Sequence, residues 1–196
     1  MKVLLIYPGI GVTGIAPNYS NGETAWIQHG IGLIATRAKQ LGFNISFMDM
    51  RRLASWEDFD NQVTNLKPDV AGISISYLDY HSSLEAIDRI KKIKTNCKIV
   101  VGGMLPTNFT DIIEQNKQID HIVVGEGEIS FIELLEELEQ GRQPDRIIKG
   151  KTPDLDNLPF IDREIFDYNQ ELRCSFVPDA TIPTVTMIAG RGCPYR

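Results

Sequence analysis

The chain has 196 residues, 42% of them apolar and 23% charged, with 20 Lys and Arg set against 26 Asp and Glu for a net charge of −6. That balance excludes a disordered, collagen-like or fibrous chain, and the absence of a basic block argues against a general phosphate-backbone binder. No apolar run approaches the roughly 18 residues that a membrane-spanning helix needs. The opening MKVLLIYPG lacks a signal peptide's length and cleavage site, so a cytoplasmic (cytosolic) location is expected.

In chain order, short apolar runs alternate with stretches of helical period. Residues 2–7 (KVLLIY), 44–50 (NISFMDM), 69–76 (DVAGISIS), 98–101 and 121–124 read as strands. Several are apolar without a period of two, as expected when both faces of a strand are buried. Helices are expected at 26–41, ending at Gly42, and at 56–66 behind a Ser55 cap with Asp58 three residues on. A third covers 83–95, capped by Ser82 with Glu85 completing a capping box, and carries Leu84, Ile87, Ile90 and Ile93 as an apolar stripe. A shorter helix at 107–115 and an acidic amphipathic one at 129–140 follow. Strands alternating with helices imply an α/β, flavodoxin-like (Rossmann-like), doubly wound, five-stranded parallel sheet with right-handed crossovers. Ligands of such sheets sit at the carboxyl ends of the strands.

Beyond Gly141 the texture changes. Residues 146–151 (RIIKGK) allow a short strand, 152–167 have the proline and aspartate content of a linker, and 184–189 (TVTMIA) read as one more buried strand. The expected organisation is a domain at 1–141, a linker at 142–183 and a further element at 184–196.

Three motifs invite chemistry and fail on context. Gly9-Ile10-Gly11-Val12-Thr13-Gly14 has the spacing of a dinucleotide loop, but Pro17, Asn18, Asn21 and Gly22 forbid the helix that must follow, and the acidic Asp49 lies too far on. A phospho-receiver site needs acidic residues after the first and third strands and a lysine after the fifth, and the chain offers Tyr7-Pro8, Ser76-Tyr77 and Gly125 instead. Asp79-Tyr80-His81 is two-thirds of Asp-x-His-x-x-Gly, the signature that supplies a histidine to cobalt, but Leu84 replaces the glycine and the segment follows the wrong strand. His81 therefore reads as a solvent-side residue near a helix start. Cys97, Cys174 and Cys193 are too few and too scattered for a disulfide framework, and the histidines lack partners at zinc-ligand spacing.

The loops after strands three, four and five carry more information as a set. Ser74, Ser76, Tyr77 and Leu78 end the third, Gly102-Gly103-Met104-Leu105-Pro106-Thr107 the fourth, and Gly125-Glu126-Gly127-Glu128 the fifth. Paired glycines allow close approach of backbone to a ligand, and Ser hydroxyls bond amide or phosphate groups. Tight turns of a parallel sheet use the same glycines, so residue types alone leave the two readings even.

GG-x-x-PT followed by V-x-GEGE before an acidic helix resembles the N-terminal cobalamin-binding domain of B12-dependent radical SAM enzymes. The likeness covers residues 2–140, and DLDNLPFIDREIFD resembles the segment joining that domain to the radical SAM barrel. TVTMIAGRGCPYR looks like the first barrel strand running into a Cys-x-x-x-Cys-x-x-Cys cluster loop, with Cys193 as its first metal ligand and the next cysteine just past the end. The resemblance implies cobalamin held by Ser74, Ser76, Tyr77, Leu78, Gly102, Gly103, Pro106, Thr107, Gly125, Glu126, Gly127 and Glu128. It also implies, for a longer parent chain, a [4Fe–4S] cluster that cleaves S-adenosylmethionine to a radical, with methyl transfer or cyclisation at an unactivated carbon. Its barrel would be the domain's partner, and the fragment alone would not catalyse. With no histidine after strand one, cobalamin is expected with its nucleotide base displaced from cobalt and its lower face on residues 77–80. The alternative is a flavodoxin-like interaction domain that binds no cobalamin.

Overall fold

The computed structural model of the chain describes residues 1–9, 15, 27–166, 186–188 and 190–192. Its centre is a parallel sheet of β1 (Lys2–Tyr7), β2 (Asn44–Asp49), β3 (Val70–Ser74), β4 (Lys98–Gly102), β5 (His121–Val124) and β6 (Ile147–Lys149). The spatial order is β2-β1-β3-β4-β5-β6, and every neighbouring pair is parallel. The expected flavodoxin-like architecture holds, but the sheet has six strands and not five. The short IIK run pairs with β5 because Ile122 and Val123 leave their outer backbone groups open to it.

Alternate strand residues feed two apolar layers. Val3, Leu5, Tyr7, Val70, Val100 and Val123 pack with α1 (His29–Gln40) and α6 (Ser130–Glu139) on one face. Leu4, Ile6, Ala71, Ile73, Ile99, Val101 and Ile122 face α2 (Trp56–Leu66), α3 (Tyr80–Ile93) and α5 (Thr110–Glu114) on the other. Helices on both faces explain why these strands read as continuous apolar runs. Among the described residues no helix is long and apolar enough to cross a membrane.

Local signals explain most boundaries. The Ser55 hydroxyl accepts from Asp58 N at 3.2 Å and starts α2 where expected. Helix α3 begins earlier than Ser82 and without the expected capping box. Ser82 and Ser83 are buried within its first turn, Ser83 Oγ donates to Asp79 O at 2.7 Å, and Glu85 pairs with Arg89 one turn on. The stripe on α3 is buried at Ile87 and Ile90, while Ile93 at its end is exposed. The single helix expected at 107–115 is two short ones, α4 (Met104–Asn108) and α5, broken by the non-helical backbone of Phe109 at φ −138° and ψ 56°. Of the strand expected at 184–189 only residues 186–188 are described; they are unpaired in any described sheet, with Met187 and Ile188 exposed.

Beyond β6 the chain returns across α1. Phe166 is buried edge-on to Phe47, with ring centroids 4.7 Å apart. Asp162 N donates to Thr36 Oγ1 at 2.8 Å, and Lys39 Nζ lies 2.6 Å from the Asp162 carboxylate.

At the amino end of the sheet, Asp120 accepts from Lys91 Nζ and Ile99 N at 2.8 Å each and from Lys98 Nζ at 3.0 Å. Burial opposes ionisation of Asp120, but these donors together outweigh it and hold the carboxyl below the usual range. Asp69 is held low by the amide of Lys2 and by Lys94, and Asp162 by Lys39. A carboxyl whose pKa is lower folded than unfolded adds stability above its unfolded value near pH 4, and that stability is lost as pH falls through the folded value. Equilibrium urea unfolding should therefore show a stability plateau near neutrality and a decline below about pH 4. Asp120→Asn should cost about 1–3 kcal/mol at pH 7 and make the acid decline shallower.

Candidate cofactor-binding site

Strand β1 sends its chain to α1 on one face, and β3 sends its chain to α3 on the other, so the sheet has its switch point between them. A cavity of about 680 Å³ opens there, at the carboxyl ends of β1, β3, β4 and β5. Its floor is a row of register partners, Leu5, Gly72 and Val100. A Cβ on Gly72 would stand 2.8 Å from Leu5 Cδ2 and 3.1 Å from the Phe131 ring, so glycine lets both side chains close onto bare backbone. Ile31 and Ile34 of α1 and Phe131 of α6 form the wall.

The rim is glycine backbone. Gly103 has φ 100° and ψ −165°, a region in effect reserved for glycine. A Cβ there would stand 2.9 Å from both Ile75 O and Ser74 Oγ, in the turn where Ile75 N donates to Gly102 O. Gly125 has φ 97° and donates its N–H to Thr107 Oγ1 at 3.0 Å.

One corner is polar. Ser76 Oγ donates to the buried Asp79 carboxylate at 2.6 Å, and both residues line the cavity. Opposite stands Tyr7, whose phenol is pushed above its ordinary pKa by burial, against the opposing pull of Arg51, and so stays protonated at neutral pH. Arg51 lies 4.8 Å over the Tyr7 ring and is held by a buried forked pair with Asp49 at 2.9 and 2.7 Å. Tyr7 is thereby fixed from behind.

Nine of the twelve expected residues line the cavity: Ser74, Ser76, Leu78, Gly102, Gly103, Gly125, Glu126, Gly127 and Glu128. The other three stand behind the rim. Thr107 accepts from Gly125, Pro106 is buried in α4, and Tyr77 stacks edge-on against Phe109 at 5.6 Å. Leu78 and Met104, 68% and 61% exposed, leave an apolar lip at the mouth. Cys193 lies outside the described residues, and among the described residues no cluster suits a metal ion. Burial pushes the Cys97 thiol up to about 11, which makes it inert. None of the three histidines lines the cavity. His29 Nε2 lies 3.1 Å from Thr186 O, His121 Nδ1 lies 2.9 Å from Asp145 O, and His81 is exposed.

Sequence reasoning missed Tyr7, Gly72, the α1 wall and Gly150, while Asp79 fell within the expected 77–80 stretch without a role of its own. A Cβ on Gly150 would run into Glu126 O and stand 2.6 Å from Glu126 N, so the end of β6 props the β5 loop. A glycine directly behind the IIK run was the available signal.

A parallel sheet in this order, with a glycine-rimmed cavity at its switch point, defines a flavodoxin-like cofactor-binding domain. Residues 20–135, more than half of the chain, match the B12 binding domain family, and the chain belongs to that family. It is 28% identical over 145 residues to the anaerobic magnesium-protoporphyrin IX monomethyl ester cyclase of Rubrivivax gelatinosus, which covers 72% of this chain and 25% of that protein. The structure of TsrM, a radical S-adenosylmethionine methyltransferase from Kitasatospora setae, is similar with a TM-score of 0.58 at 20% identity, covering 72% of this chain and 26% of that one. OxsB, a cobalamin-dependent S-adenosylmethionine radical enzyme solved with aqua-cobalamin and S-adenosylmethionine, gives 0.59 at 15% identity, covering 77% and 22%. The likeness to both structures is one of fold. The chain spans about a quarter of the length of the cyclase.

Gly103→Val and Gly125→Val should each weaken hydroxocobalamin binding at least tenfold, about 1.4 kcal/mol, in a visible-absorbance titration. The two should differ in stability. Gly103→Val drives a branched side chain into the β3 loop, whereas the nearest atom to a Cβ on Gly125 is Gly150 Cα at 3.9 Å. Urea midpoints should therefore fall further for Gly103→Val.

Proposed function

We propose that the chain is the cobalamin-binding module of a larger, cytoplasmic radical SAM enzyme, a methyltransferase or cyclase acting on an unactivated carbon. The observation that carries this reading is the switch-point cavity itself, on a chain of the B12-binding family. Cobalamin is large, flat and fringed with amides. The backbone rim at Gly102, Gly103, Gly125 and Gly127 lets its ring come close, and Ser74, Ser76 and the Tyr7 hydroxyl offer partners to the amides. The apolar floor at Leu5, Gly72 and Val100 suits the displaced nucleotide base. When bound, the cofactor supplies a cobalt centre for methyl-group or radical chemistry.

The protein's own part is to shape the cobalt's lower face. Leu78, exposed at the cavity mouth, would give that face an apolar neighbour, with the Tyr77–Phe109 pair behind it and none of the histidines lining the cavity. Cys193 is proposed as the first ligand of a [4Fe–4S] cluster that, with S-adenosylmethionine, belongs to a downstream barrel of the same chain.

Titration with hydroxocobalamin should shift the visible spectrum to the base-off form, and His81→Ala should leave affinity and spectrum unchanged within twofold. Electron paramagnetic resonance of the reduced cobalt(II) form should show no nitrogen superhyperfine splitting. Splitting that disappears in His81→Ala would assign histidine as the axial ligand and overturn the lower-face reading. A wild-type chain that never takes up the cofactor would leave an interaction domain as the better account.

A further inference from the structure

Arg191 lies 63 residues beyond Glu128 in sequence and meets it in space. Its Nη1 is 3.1 Å from Glu126 Oε2, and its Nη2 is 2.6 Å from Glu128 Oε1. The glutamates differ in setting: the Glu126 side chain is 50% exposed, the Glu128 side chain only 3%. Both line the cavity. Glu128 Oε2 is also buried, with no hydrogen-bond partner among the described residues. A carboxylate in that position depends on the Arg191 cation, its one such partner among the described residues, because removing one partner of a buried pair leaves an uncompensated charge. A guanidinium can bridge two carboxylates with its separate N–H groups; a lysine ammonium is a single point of charge.

The segment that carries Arg191 has a second anchor. Thr186 O accepts from Arg163 Nη2 at 2.6 Å and lies 3.1 Å from His29 Nε2 at the start of α1. Helix α1 supplies Ile31 and Ile34 to the cavity wall. Thr186 and Arg191 thus tie their stretch of chain to two adjoining parts of the site, the α1 wall and the β5 loop, which meet at Ile34 and Gly127.

We propose that Arg191 is a positioning residue for the cofactor cavity. By holding Glu126 and Glu128 together it sets the shape of the β5 loop and couples the docking of residues 186–192 to occupancy of the site. The coupling is reciprocal by linkage: a ligand that steadies the loop steadies the segment, and the docked segment tightens the ligand. The ligand half of this proposal rests on the cobalamin reading; the clasp does not.

Two measurements on the full 196-residue chain separate these halves. In hydrogen exchange without cofactor, Glu128→Gln should speed exchange in 186–192, and Arg191→Gln should speed it in 125–131. Unchanged exchange at both places overturns the clasp, whatever the protein binds. In hydroxocobalamin titrations each variant should bind about tenfold more weakly, and the double variant no worse than either single one. Additive losses, or singles that bind like wild type, overturn the coupling. Glu126→Gln, on the exposed arm, serves as a milder variant should Glu128→Gln fold poorly, and should show the same non-additivity with Arg191→Gln. Loss of binding by the wild type would remove the proposed function and leave the exchange result standing.

Discussion

Between β1 and β3 the chain leaves the sheet toward opposite faces, and a parallel sheet has no element of its own to bridge the gap. The cavity follows from that constraint. Every loop that borders the gap ends a buried strand, so each has to turn sharply while keeping its polar backbone bonded. Gly103 and Gly125 answer that demand in conformations that side chains resist, and the rim becomes bare backbone as a result. The buried Asp49–Arg51 pair at the neighbouring strand end stiffens the same region from behind, since the guanidinium is spent on Asp49 and on the Tyr7 ring.

Much of this was legible in the sequence because apolar runs of strand length leave few folds open. The order of elements, the start of α2 at Ser55 and the glycine loops at strand ends are local properties, written in adjacent residues. What was not legible depends on distant pairs. Tyr7 enters the site only because β1 lies beside β3, and Ile31 and Ile34 because α1 packs over that face. Asp79 looked like a remnant of a cobalt-ligand signature, with the cap at Ser82. It is instead tied to Ser76, so α3 starts before Ser82. Phe109 breaks the helix expected at 107–115, among neighbours (Thr107, Asn108, Thr110, Asp111) of low helix propensity. The family resemblance carried the cofactor assignment further than residue types could, since glycine-rich turns alone serve tight packing as well as ligand binding.

The clasp and the cavity illustrate two uses of charge in one domain. Asp120, with three donors at the amino end of the sheet, is a settled arrangement whose effect is stability. Glu128, buried with one oxygen bonded to Arg191 and the other unmatched among the described residues, is a tense one. An imperfectly matched buried carboxylate is costly once its partner is removed, and this one borders the site.

The return of the chain beyond α6 bears on how this unit is to be isolated. Gly32 on α1 has no side chain, and a Cβ there would stand 2.9 Å from Ile161 Cγ2 and 3.1 Å from the Phe166 ring. Those residues therefore fill a groove that helix α1 leaves for them, while β6 covers the outer edge of β5. A protein cut behind α6 would bare that groove and turn β5 into an open edge strand, a template for pairing between molecules. Expressed that way it would tend to precipitate as sheet-bonded aggregates, whereas one carried through Phe166 keeps its edge covered by its own chain.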